Sequence, residues 1–191
     1  MSKVALLASY GKDEPLLKLG RLLQKEGWDL LGSAGTAKFL GENGVPCRDV
    51  AEIIGAPILG HRVVTLSREI HAALLSRDED APELERLHVP RIDLVYVTLY
   101  PLTETIAAGA SDEEVLEKTD MGGPALLRSA AKGRRITLSS PAQIDTLQKW
   151  MEAGSPETAG DALVVQFAAA AERKVSQYTD ASAAYWEGRV K

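Results

Sequence analysis

The sequence predicts an α/β fold: a mostly parallel sheet with helices on both faces and a helical C-terminal extension. Three observations carry this. Val4 to Ala8 is a continuous apolar run bounded by polar residues, the pattern of a strand buried on both faces. Leu16, Leu17, Leu19, Leu22 and Leu23 follow at helical spacing, with Gly27 as the stop. Ile92 to Leu99 is the strongest strand signal in the chain and ends at Tyr100-Pro101.

The remaining elements follow in order. Trp28 to Leu31 is a short second strand running into Gly32-Ser33-Ala34-Gly35-Thr36, and Ala37 to Glu42 is a helix ended near Gly44. Residues 51–61, with Gly55, Pro57 and Gly60, read as a loop. Glu69 to Ser76 is helical, and the charged segment 78–91 covers the surface. Ser111-Asp112-Glu113-Glu114 is a capping-box start for a helix through Lys118. Pro124 suits the first turn of a helix from about Ala125 to Lys132. Ile136 to Leu138 is a strand and Pro141 to Met151 a helix. Residues 154–160 read as a linker. The Ala-rich remainder, to about Trp186, is helical. The expected organisation is one domain over 1–153 and a helical extension of it over 154–191.

Composition limits the function classes. The chain has 191 residues, 45% hydrophobic and 26% charged, which excludes disorder and leaves material for one core. Its net charge of −5 argues against a nucleic-acid partner, which needs a broad basic face. A local basic pocket for a phosphorylated small molecule remains compatible with it. A single cysteine, Cys47, fits a reducing cytoplasm. The N-terminus, Met1 to Ser9, reads as a buried strand rather than a signal peptide, and no apolar run approaches the roughly 18 residues of a membrane span.

Four segments could carry chemistry. Ser33-Ala34-Gly35-Thr36 joins a strand to a helix, where free N–H groups and hydroxyls can meet a phosphate; an ordinary N-cap is the competing reading. Arg62 stands near Thr65 and Ser67, and a solvated arginine is its alternative. Tyr100 lies at the C-terminal end of the strongest strand, where α/β sheets bind ligands, although a Tyr capping the core is commoner. Asp120 precedes a Gly122-Gly123-Pro124 turn that opens a helix, and Arg128 and Lys132 share one face of it. Beside Arg134 and Arg135 that pair also reads as a solvated basic patch. His61, His71 and His88 do not fall at metal-ligand spacing with Cys47. P-loop, dinucleotide and Gly-x-Ser-x-Gly signatures are missing.

Together these segments resemble a known family, the IMP cyclohydrolase domain of the bifunctional AICAR transformylase/IMP cyclohydrolase, with its methylglyoxal-synthase-like fold. The resemblance runs from Val4 to about Trp186. Asp120-Met121-Gly122-Gly123-Pro124 with Arg128-Ser129-Ala130-Ala131-Lys132 is similar to D-I-G-G-P-T-x-x-R-A/S-A-A-K. Leu99-Tyr100-Pro101 is similar to N-L-Y-P-F, Ser33 to Ala37 to S-G-G-T-A, Gly60 to Leu66 to G-G-R-V-K-T-L, and the tail from Gln177 to Trp186 to H-T-A-x-Y-D.

The resemblance implies a reaction without metal or cofactor. The carboxamide nitrogen of FAICAR, a formamidoimidazole carboxamide ribotide, attacks the formyl carbon, and water leaves to give IMP. It implies that Ser33, Gly35 and Thr36 hold the 5′-phosphate with Arg62 and Thr65, that Ser9, Lys12, Gly122 and Gly123 line the substrate site, and that Tyr100, Asp120 and Lys132 stand at the reacting groups. A homodimer, through residues 158–186, and a separate FAICAR-producing enzyme are the implied partners. The chain departs from the family at Val64, where the family carries a catalytic lysine, at Ser67-Arg68 for His-Pro, at Thr98 for Asn, and at Ser9-Tyr10-Gly11-Lys12-Asp13 for S-D-K-T-G. Lys174-Val175 replaces the tail His-Thr. Two other readings stay open: a purine-ribonucleotide-binding relative without the chemistry, and a methylglyoxal synthase or a regulatory domain of that fold.

Overall fold

Buried apolar runs dictate the sheet. The computed structural model describes residues 3–60 and 62–190, and His61, weighed above as a metal ligand, lies outside them. Its elements are β1 (Val4–Ser9), α1 (Glu14–Lys25), β2 (Asp29–Gly32), α2 (Ala34–Glu42), β3 (Arg48–Asp49), α3 (Ala51–Ile54), α4 (Arg68–Leu75), α5 (Ala81–Arg86), β4 (Leu94–Thr98), α6 (Leu102–Ala107), α7 (Asp112–Glu117), α8 (Gly122–Lys132), β5 (Ile136–Leu138), α9 (Ile144–Glu152) and α10 (Glu157–Glu187). All strand pairs are parallel, in the order β3-β2-β1-β4-β5. This is the expected parallel sheet with helices on both faces.

The two-residue period of the strands sorts side chains into two cores. Ala5, Leu7, Leu30, Leu94 and Tyr96 face α1 and α9. Val4, Leu6, Leu31, Val95 and Val97 face α4 and α8. A third cluster joins Leu102 of α6 and Val115 of α7. The long helix α10 contributes to all three, with Leu163 and Phe167 in the first, Ala171 and Val175 in the second, and Tyr178 and Tyr185 in the third. Its 31 residues span roughly 46 Å at 1.5 Å per residue. It passes along β5, whose outer edge would otherwise offer unpaired backbone.

Several boundaries differ from expectation. The segment read as a linker shortens, because α10 begins at Glu157, and Gly160 lies against the Trp150 ring. Short helices α3 and α5 occupy stretches read as loop or surface cover, and α6 one to which the sequence assigned no element. Helix α8 begins at Gly122, three residues earlier than the sequence suggests, because Asp120 Oδ1 accepts the Gly123 N–H at 2.8 Å and caps it. Ser111 and Glu114 form the expected capping box on α7.

One buried cation fastens the second core. Arg135 is 3% exposed, and its guanidinium donates to the carbonyls of Ala73, Leu74 and Ser76 and to Ser76 Oγ. These are the last carbonyls of α4, which no further helical N–H can satisfy, at the negative end of the helix dipole. We expect Arg135→Ala to leave the Leu74 and Ser76 carbonyls unpaired, while Ala73 O keeps the Ile92 N–H and the Ser76 hydroxyl, costing about 3 kcal/mol. A lowered midpoint in urea unfolding, with unchanged slope, checks this.

Candidate functional site

A parallel sheet whose strand order reverses leaves a crevice at the C-terminal ends of the two strands where the connections diverge. Here the strands are β1 and β4. Their last residues meet there, with Ser9 Oγ and Thr98 Oγ1 at 2.8 Å and the Tyr10 N–H donating to Thr98 Oγ1 at 2.8 Å. Above them opens a cavity of about 580 Å³, within the size range of small-molecule sites.

Most of the expected site residues converge on it. Ser9, Lys12, Ser33, Gly35, Arg62, Thr65, Tyr100, Asp120, Gly122 and Gly123 all line the cavity. One bank is the first turn of α2. Ser33 makes no side-chain cap bond there, so the N–H groups of Ala34 and Gly35 are left at the positive end of the helix. Lys12 folds over Gly35, where an added Cβ would stand 3.3 Å from Lys12 Cε, and its ammonium donates to the carbonyls of Ser9 and Tyr10. Burial lowers its pKa. Arg62 and Thr65 come from the connection between α3 and α4; Arg62 Nε donates to Leu59 O at 3.1 Å. Lys12, Arg62 and the α2 N–H groups make this bank suited to an anion.

The opposite bank holds the proton-transfer groups. Asp120 sits at the N-terminus of α8 and accepts the Gly123 N–H at 2.8 Å, and the nearby backbone amides of Tyr100 and Gly122 act in the same sense on its charge. Those donors favour its charged form, yet desolvation is the larger effect and its pKa is raised above 3.8. Tyr100 is half-buried. Burial first, and then the charges of Asp120 and Glu117, raise its pKa, so it remains a hydroxyl donor at neutral pH. Its ring lies 5.1 Å from that of Tyr10, tilted by 55°. The Lys118 ammonium sits over both rings, 5.4 Å from Tyr10 and 5.9 Å from Tyr100.

Two expected residues stand elsewhere. Thr36 is fully buried. Its hydroxyl accepts from the Ser9 N–H and from Ser33 Oγ and donates to Ser9 O, so it ties α2 to β1 and does not face the cavity. Lys132 is exposed on the last turn of α8, ten residues beyond Gly122. That is about 15 Å along the helix, beyond the reach of a lysine side chain. Within one chain, then, Lys132 does not join Tyr100 and Asp120. Its neighbour Arg128 pairs with Glu172 of α10 at 3.3 Å, which answers the like-charge pair noted in the sequence. Val64 lines the cavity as an apolar wall. Cys47 is held by burial at a pKa of about 12, as an inert packing residue.

Sequence reasoning passed over Lys118 and the floor role of Thr98, because both depend on contacts made after folding. Among the described residues, no group of three or more His, Cys, Asp or Glu side chains comes together as a metal site, and no helix is long and apolar enough to cross a membrane.

The comparisons with known proteins agree with this fold. A family model described as "MGS-like domain" matches residues 15–125, and the chain belongs to that family. The bifunctional purine biosynthesis protein PurH of Deinococcus radiodurans is 38% identical over 191 residues, covering 98% of this chain and 36% of that protein. PurH of a Synechocystis species is 39% identical over 196 residues, covering 98% of this chain and 38% of that protein. The chain thus spans little more than a third of the length of these curated relatives. A solved structure, that of ForH, superposes with a TM-score of 0.78 and 30% identity, covering 97% of this chain and 98% of that one.

The packing of the Asp120 turn yields a paired expectation. A Cβ on Gly123 would collide with the Asp120 carboxylate and lie 2.5 Å from Leu99 Cδ2, whereas one on Gly41, within α2, meets nothing within 4 Å. Gly123→Ala is expected to destabilise by about 1–3 kcal/mol, and Gly41→Ala to stabilise by up to about 1 kcal/mol. Thermal melts moving in opposite directions check both.

Proposed function

We propose that this chain is an IMP cyclohydrolase, closing FAICAR to IMP with loss of water in purine biosynthesis. The observation that carries the reading is the meeting of Tyr100 and Asp120, across one nucleotide-sized cavity, with the anion-suited start of α2. The PurH relatives, named for purine biosynthesis, support it.

In this reading the phosphate rests against Ala34, Gly35, Lys12, Arg62 and Thr65, and the imidazole lies toward Tyr100 and Asp120. Both reacting groups belong to one molecule, so holding the reactive rotamer supplies much of the rate. Asp120, ionised, accepts a proton from the carboxamide nitrogen as that nitrogen attacks the formyl carbon. Tyr100 donates to the formyl oxygen as charge gathers on it. That oxygen takes one proton from Tyr100 and the proton held by Asp120 and leaves as water, while the former formamido nitrogen gives up its own proton to the Tyr100 oxygen as the ring C=N bond forms. No cofactor enters. The proposed setting is the cytoplasm, with a separate enzyme producing FAICAR.

Lys132 keeps a role in this scheme only if a second copy of the chain supplies it, so we join it to a homodimer. Mixing Tyr100→Phe chains with Lys132→Ala chains should then restore turnover that neither shows alone. A failure to complement, or a single monomeric species in sedimentation, would remove Lys132 from the scheme.

A second reading is a purine-ribonucleotide-binding relative without turnover. Val64 favours it, because an apolar wall stands where the resembled family carries a lysine.

Absorbance assays of IMP formation from FAICAR decide between them. Wild-type turnover should fall about 10²–10³-fold in Tyr100→Phe and in Asp120→Ala. Because Asp120 must be ionised to accept a proton and its pKa in the free chain is raised, kcat/KM should fall on acidification with a midpoint above 3.8. Binding of IMP without turnover, with activity gained in Val64→Lys, would select the second reading.

A further inference from the structure

Tyr178 lies on α10, 58 residues from Asp120 in sequence, yet its hydroxyl touches the backbone of the Asp120 turn. It accepts a hydrogen bond from the Asp120 N–H at 2.7 Å and donates one to Lys118 O at 2.9 Å. The segment it holds carries two of the groups around Tyr100: the Asp120 carboxylate and the Lys118 ammonium over the Tyr10 and Tyr100 rings. The Tyr178 side chain is 7% exposed and packs with Leu102, Val115 and Tyr185, so water cannot readily replace its hydroxyl. The helix behind it is anchored in all three cores and does not move without them.

We propose that Tyr178 is a positioning residue that fixes the Asp120 carboxylate in the cavity, and that the C-terminal helix is therefore a working part of the site. The Gly123 N–H holds the carboxylate from the front, donating to Oδ1 at 2.8 Å. Tyr178 fixes the backbone from behind, which keeps the carboxylate from turning with its own peptide plane. Catalytic geometry is sensitive to such displacement, because a shift of about 1 Å costs on the order of a hundredfold in rate.

Tyr185 provides the control. It lies two turns further along α10, and its hydroxyl donates to Asp112 Oδ1 at 2.6 Å, on α7. Tyr178→Phe and Tyr185→Phe each remove a hydroxyl from one helix, but only the first touches the Asp120 turn.

The turnover arm rests on the cyclohydrolase reading; the exchange arm does not. In the full chain, amide hydrogen exchange read by NMR should find the Asp120 N–H protected, and about tenfold or more less protected in Tyr178→Phe. With FAICAR, Tyr178→Phe should lower kcat about ten- to a hundredfold with little change in KM, and Tyr185→Phe should leave kcat unchanged. In an Asp120→Ala background, Tyr178→Phe should cost nothing further, because the group it positions is gone. An unprotected Asp120 amide in the wild type overturns the proposal. So does an equal loss from Tyr185→Phe, or an undiminished Tyr178→Phe loss in the Asp120→Ala background. Absence of wild-type turnover removes the cyclohydrolase reading alone, and the exchange result then decides Tyr178.

Discussion

The parallel pairing of β1 with β4 is the constraint on which the rest of the molecule depends. Both strands are buried on both faces, so nearly every residue in them is apolar. Apart from the buried Tyr96 hydroxyl in mid-strand, polar side-chain groups enter at their C-terminal ends, where Ser9 and Thr98 satisfy each other. The chain leaves β1 toward β2 and β3 on one side and returns through β4 and β5 on the other. No helix can cover the point of divergence, and the cavity is what that topology leaves open. The two banks then inherit their character from local rules. A helix that starts without a side-chain cap makes the anion-suited bank, and an aspartate that caps another helix makes the acid–base bank.

Asp120 shows two effects in competition. Three backbone donors and a helix N-terminus favour its charge, as they would for any capping aspartate on a surface. Burial at the crevice opposes them and is larger. A capping residue has thereby become one that binds a proton more readily than its type ordinarily does. This cost in stability is the kind tolerated where a group has chemistry to perform.

The sheet was legible because its signals are long and local. The apolar runs at Val4–Ser9 and Leu94–Thr98, the leucine spacing of α1 and the Ser111 capping box each specify one answer. Strand β3, only Arg48–Asp49, and the four-residue α3 are too short to show a period. Gly122 and Gly123 read as a turn because glycine disfavours helix interiors; they are helical because Asp120 caps them and because a Cβ at Gly123 has no room. Motif position placed Thr36 and Lys132 in the site, but a motif records neighbours in sequence and not direction. Thr36 turns inward, and Lys132 rides to the far end of an 11-residue helix. Tyr178 and Lys118 reach Tyr100 and Asp120 through contacts that only the folded chain creates.

The burial of Cys47 has a practical consequence. It is the sole cysteine of the chain, and partial burial pushes its thiol up to about 12, which disfavours the thiolate that labelling reagents attack. Met121, by contrast, is 66% exposed on the cavity wall. A thiol introduced there would be the one reactive sulfur in the molecule, and a fluorophore attached to it would report on entry to the cavity without any native residue first having to be removed.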